Sequence, residues 1–145
     1  MTLGAFACVI AMRRESGPVE EINQLAGLAQ HNLPMAAVLA TLMFSLAGIP
    51  PLAGFWGKFY AFLPAIKSGY YVLAVIGVLA SVVGAYYYLR IVKIMFFDEP
   101  AEKFLPVRVK VGIVMGLSAL FVLAFVVMPS PLVTAAGVAA SSFRY

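Results

Sequence analysis

Phe44-Ser45-Leu46-Ala47-Gly48-Ile49-Pro50-Pro51-Leu52-Ala53-Gly54-Phe55-Trp56-Gly57-Lys58-Phe59-Tyr60 is apolar at both ends, broken in the middle, and carries one charge. Nothing from Ile22 through Gly57 is formally charged, and Phe59 to Ile66 is again apolar, so Lys58 stands alone. Two consecutive prolines remove two backbone donors and clash with the preceding turn, so a helix arriving at Gly48 must stop there. Gly54 and Gly57 are expected to keep the following stretch loose, with a second helical piece from about Lys58 to Lys67. An ammonium at membrane depth costs about 2.5–3.5 kcal/mol on insertion scales, and broken backbone is tolerated there only beside protein or a wet cavity. A broken helix that keeps a buried ionisable group is the arrangement an ion or proton pathway requires.

Working outward, the composition fixes the solvent. Hydrophobic residues are 63% of the 145, charged residues 11%, and the mean hydropathy is +1.00. A water-soluble domain of this size cannot hide that much apolar surface, so the chain is predicted to be an all-α integral membrane protein. The net charge of +4 is concentrated in a few loops and reports topology; it does not point to nucleic acid. Cys8, the one cysteine, lies in an apolar run, permits no intrachain disulfide, and reads as a small packing residue.

The charges divide the chain. Residues 1–12 form an apolar stretch ending at Arg13-Arg14, roughly 18 Å of helix against a hydrocarbon core of about 30 Å, and are expected to be the end of a longer spanning helix. Residues 13–33 form a loop containing a short amphipathic pattern at Ile22, Leu25, Leu28 and Ala29, suited to the membrane surface, with His31 as an interfacial polar residue. Residues 34–67 carry the break at Gly48, Pro50 and Pro51, with Gly54 and Gly57 counted as part of it. Residues 70–97 form a complete spanning helix with tyrosines at both ends (Tyr70-Tyr71 and Tyr86-Tyr87-Tyr88) about 24 Å apart. Its small residues Gly77, Ser81, Gly84 and Ala85 read as a packing face. Residues 98–110 are a second basic loop, residues 111–128 an uncharged crossing, and residues 129–145 a tail opened by Pro129 and Pro131.

Residues 34–67 admit two arrangements, a hairpin of two short crossings or one crossing by a discontinuous helix. Basic loops lie in the cytoplasm. Only the single crossing puts the Arg13-Arg14 loop and the loop holding Lys103, Arg108 and Lys110 on the same side, so charge placement favours it. The chain is then about three complete crossings plus a partial first one. Lys58 lies ten residues before Ser68, roughly 15 Å, which is about half the hydrocarbon thickness. A lysine that merely snorkels to the interface remains the bland alternative.

No nucleotide loop, metal-ligand spacing or nucleophile arrangement is present. Gly54-Phe55-Trp56-Gly57-Lys58 lacks the Ser or Thr that follows a phosphate-loop lysine. The whole segment Phe44–Tyr60 does, however, closely resemble the broken-helix segment of the antiporter-like membrane subunits of respiratory complex I. The run Ala85-Tyr86-Tyr87-Tyr88-Leu89-Arg90 and the opening Met1-Thr2-Leu3-Gly4-Ala5-Phe6-Ala7 are similar to the subunit N branch, the bacterial relatives of mitochondrial subunit 2. The resemblance covers essentially the whole chain and implies the C-terminal third of such a subunit: the end of an eleventh helix, a discontinuous twelfth, a thirteenth and a fourteenth. It implies that Lys58 is a proton relay on the central hydrophilic axis. It also implies a multi-pass protein of the bacterial inner membrane whose partners are other complex I membrane subunits, including the antiporter-like neighbours. NADH, FMN, iron–sulfur clusters and quinone would be bound by other subunits, with no cofactor and no redox chemistry in this chain. Two other readings stay open: a subunit of a cation/proton antiporter or membrane-bound hydrogenase, and a structural membrane module in which Lys58 anchors a helix.

Overall fold

The computed structural model describes residues 1–14, 17–18, 21–100, 104–105, 107–127 and 130–142. Expectations placed on Lys103, Met128 and Pro129 lie outside the described residues. The described chain is nearly all helix: α1 (Thr2–Ala11), α2 (Leu28–His31), α3 (Leu33–Ala47), α4 (Ala53–Lys67), α5 (Tyr71–Phe97), α6 (Val109–Val127) and α7 (Ser130–Ser141). A two-residue ladder, β1 (Arg13–Arg14) with β2 (Gly17–Pro18), and a 3-10 turn at Ile22–Leu25 precede α2.

Two helices, α5 and α6, are long and apolar enough to cross a membrane, with mean hydropathies of 2.0 and 2.4 over their most apolar windows. Both leave most of those windows uncovered by the rest of the chain, and Val72 and Phe97 on α5 and Leu117 and Val127 on α6 stand exposed. A core helix of a water-soluble domain would be covered on such faces, so these apolar surfaces require lipid or further protein. α1 and α3 are shorter apolar helices.

The core gathers around α3. Met35, Ala36, Leu39, Leu42 and Met43 pack with Cys8 from α1 and Met12 just after it, Val92, Ile94 and Met95 from α5, and Met115 and Val122 from α6. Asn32 starts α3 by accepting the Met35 N–H on Oδ1 at 3.2 Å, with Pro34 in the first turn. The amphipathic loop segment turns its apolar side toward this core: Leu25 and Leu28 are buried, and the Gly27 N–H donates to the Ile94 carbonyl at 3.2 Å. The apolar pattern is thus covered by protein at Leu25 and Leu28, whereas Ile22 is exposed.

Long α5, about 40 Å by its 27 residues, organises the two halves of the broken segment. Its later part packs on α3 through Val92 to Met95, and its earlier part packs on α4, where a Cβ on Gly77 would meet the Phe62 ring at 2.4 Å. α3 and α4 therefore succeed one another along the same partner helix.

The break is narrower than the sequence suggests. It runs from Gly48 to Leu52, and α4 begins at Ala53, so Gly54 and Gly57 are helical and are not part of the interruption. A glycine costs about 1 kcal/mol in a helix interior, which local packing readily overrides. At Gly54 that packing is visible: a Cβ there would lie 1.7 Å from the Ser45 carbonyl oxygen, so only glycine lets α4 start against the last turn of α3. Gly57 has nothing within 4 Å of where its Cβ would be. Within residues 129–145, expected as a tail, α7 forms over Ser130–Ser141 with Pro131 in its first turn, where the missing N–H is harmless.

Gly54→Ala and Gly57→Ala separate these two glycines. In the intact membrane-embedded protein, Gly54→Ala should destabilise by about 1–3 kcal/mol or more, the range for overpacking against atoms that cannot yield. Gly57→Ala should leave the thermal midpoint unchanged or raise it slightly, as read by thermal unfolding of the detergent-solubilised protein.

Candidate functional site

The helix break leaves backbone groups that a continuous helix would pair, and the two helices satisfy each other's. At the end of α3, Gly48 adopts a left-handed conformation (φ 88°) and its N–H donates to the carbonyls of Phe44 and Ser45, while the Ile49 N–H also reaches Phe44. This is the αL termination that glycine favours. The Ala47 carbonyl is taken by Lys58, whose Nζ donates to it at 2.9 Å. In the other direction, the Gly54 N–H in the first turn of α4 donates to Ser45 Oγ at 3.1 Å. Leu52, the residue in the N-cap position, has no side chain able to do this.

So a serine of α3 caps α4, and a lysine of α4 caps α3. Ser45 is fully buried, and its hydroxyl also donates to the Met1 sulfur. Lys58 is only partly buried, and its methylenes and ammonium cover the open side of Gly48, where a Cβ would lie 3.0 Å from Cδ and 3.1 Å from Nζ. A helix C-terminus carries partial negative charge, so the end of α3 is a favourable seat for a cation.

The lysine opens onto a cavity of about 380 Å³ between α4 and α5, walled by Phe55, Phe62, Val82 and Ala85 among others. Among the described residues lining it, only Lys58 and Ser81 have side chains with polar atoms. An ammonium has three N–H donors. With one committed to Ala47, two remain for whatever occupies the cavity. Ser81, read from the sequence as a packing residue, therefore shares the cavity wall with the cation. Only the fold could reveal that, because helical spacing on α5 does not say which face α4 will meet.

Of the residues singled out in the sequence, Gly48 and Lys58 meet directly, and Pro50 and Pro51 form the turn that follows. Gly54 supports the site from behind through Ser45, and Gly57 makes no such contact. Ser45 was missed as a functional candidate; its signal was a lone hydroxyl three residues before the break. Among the described residues no three His, Cys, Asp or Glu side chains come together as a metal site would need.

Residues 1–84 match the family described as NADH:quinone oxidoreductase/Mrp antiporter, transmembrane. The chain belongs to that family. Relatives within the NADH:quinone oxidoreductase/Mrp antiporter family carry the name NADH-quinone oxidoreductase subunit N. That of Azorhizobium caulinodans is 61% identical over 97% of this chain, and one from Rhizobium meliloti is 58% identical over 99%. That of Paramagnetospirillum magneticum is 56% identical over 97%. The chain spans only 29–30% of the length of these three relatives. Among solved structures, a chain of respiratory complex I from Thermus thermophilus with bound aureothin superposes with a TM-score of 0.76. It is 31% identical, and the match covers 87% of this chain and 29% of that one.

The reciprocal capping predicts unequal costs for two serines in the intact protein. Ser45→Ala strands the buried Gly54 N–H and should lower stability by about 1–2 kcal/mol. Ser81→Ala should change it by less than about 0.5 kcal/mol. Thermal or denaturant unfolding of the two variants measures the difference.

Proposed function

We propose that this chain supplies one station of the proton path in the membrane arm of an NADH–quinone oxidoreductase, as part of a subunit N. The observation that carries the reading is the Lys58 ammonium held on the Ala47 carbonyl at the helix break, with its remaining donors turned to a cavity. A relay group must be fixed in place, reachable by water or a neighbouring side chain, and able to exist with and without its proton. Lysine at the carboxyl end of a helix meets the first requirement, and the cavity supplies the second.

In this reading α3 and α4 together make one discontinuous crossing, and Lys58 lies near the bilayer midplane. Two supports are independent. Basic loops fall on one side only in that arrangement, and α3 and α4 follow one another along α5 instead of turning back. The loops at 13–33 and 98–110 then face the cytoplasm of a bacterium, and the membrane is the inner one. Electron transfer from NADH to quinone, with its FMN and iron–sulfur chemistry, belongs to other subunits. Neighbouring antiporter-like subunits and the rest of subunit N would supply the groups that exchange protons with Lys58. The name shared by the relatives favours this over a stand-alone cation/proton antiporter.

Lys58→Ala in the assembled enzyme tests the reading. Proton pumping, followed with a pH-sensitive dye in sealed vesicles during NADH oxidation, should fall at least about tenfold, as expected when a proton-transfer group is removed. Lys58→Arg should restore assembly without restoring pumping, because guanidinium does not release its proton in this range. Full pumping by Lys58→Ala would leave the lysine a structural cap.

A further inference from the structure

A second cavity, far from Lys58 in the chain, lies where the end of α1 meets the start of α6. It measures about 210 Å³ and is lined by Ile10, Ala11, Arg13, Leu105, Arg108 and Val111. Two elements hold it in shape. The Leu105 N–H donates to the Arg13 carbonyl at 2.8 Å, tying the second basic loop to the first. Below, α1 and α6 pack closely, since a Cβ on Gly4 would lie 2.5 Å from Ser118 Cβ.

The chemistry of the walls is divided. Arg13 and Arg108 place two guanidinium groups on one cavity, and both side chains are exposed. Among the described residues none that lines it is acidic, and the ion pair made between described residues joins Lys93 to Asp98 elsewhere. The remaining walls are apolar and continue into apolar surface: Leu3, Phe6 and Ile10 along α1, and Ile113, Leu117 and Leu120 along α6, are all exposed.

We propose that this cavity binds the phosphate of an anionic phospholipid, with the acyl chains lying along the exposed faces of α1 and α6. Guanidinium groups pair phosphate oxygens in a two-pronged geometry, and basic pockets between spanning helices on the cytoplasmic side recognise anionic headgroups. A free phosphate would use the same two arginines but has no use for the apolar walls. The inference does not depend on the role of Lys58.

The test uses the assembled enzyme and a phosphatidylglycerol carrying a photoactivatable group in its acyl chain. Labelled peptides should map to α1 and the first turns of α6. Unlabelled phosphatidylglycerol should compete, and phosphatidylcholine should not. Each guanidinium near an anionic lipid contributes about a fivefold factor, so Arg13→Gln with Arg108→Gln should weaken labelling there roughly 30-fold. Arg108→Gln alone should weaken it about fivefold and guards against a double variant that fails to assemble. Undiminished labelling in the Arg108→Gln variant, or equal labelling by a phosphatidylcholine probe, overturns the proposal. Displacement by inorganic phosphate at equal concentration also overturns it, by making the site one for the free anion.

Discussion

Interrupting a helix in apolar surroundings frees backbone groups that water cannot satisfy, and the rest of this architecture depends on how they are paired. Here the pairing is reciprocal. Ser45 of α3 accepts from the first turn of α4, and Lys58 of α4 donates to the last carbonyl of α3. Each interaction would be modest alone, about 1–3 kcal/mol for capping or a charged hydrogen bond. Together they make the break a defined joint. Gly48 and Gly54 are the two places where a side chain would prevent it, one by its left-handed backbone and one by contact with Ser45.

The joint also explains how a polar function fits so apolar a chain. A continuous helix would have spent the Ala47 carbonyl on its own backbone and offered no seat for an ammonium. By ending α3 early, the chain creates a site of partial negative charge without an acidic residue. α5 splints both halves, packing on α3 at one end and α4 at the other, and leaves a cavity beside the lysine. In the proposed function that cavity is where the proton arrives or leaves.

Much of this was legible in the sequence, and the limits are physical. Gly48 with Pro50 and Pro51 is a strong local signal because two prolines cannot continue a helix whatever surrounds them. Lys58 stood out because a lone charge is costly in that setting. The role of Gly54 was misread, since a glycine's effect on helix continuity depends on what its bare Cα touches, and Ser45 is nine residues away. Ser45 and Ser81 were invisible for the same reason: a hydroxyl on a spanning helix reads as small-residue packing until its facing helix is known. The helix at Ser130–Ser141 was not expected of a tail opened by two prolines, yet Pro131 occupies its first turn, where proline is tolerated.

The central claim, that the joint lies within one crossing and not at the tip of a hairpin, is most directly tested by sidedness. Cysteines introduced at Ser16 and Ser68 in the assembled enzyme are labelled with a membrane-impermeant reagent in sealed vesicles of known orientation. The account predicts that Ser16 labels from the cytoplasmic face and Ser68 from the opposite face. Labelling of both from the same face would contradict it.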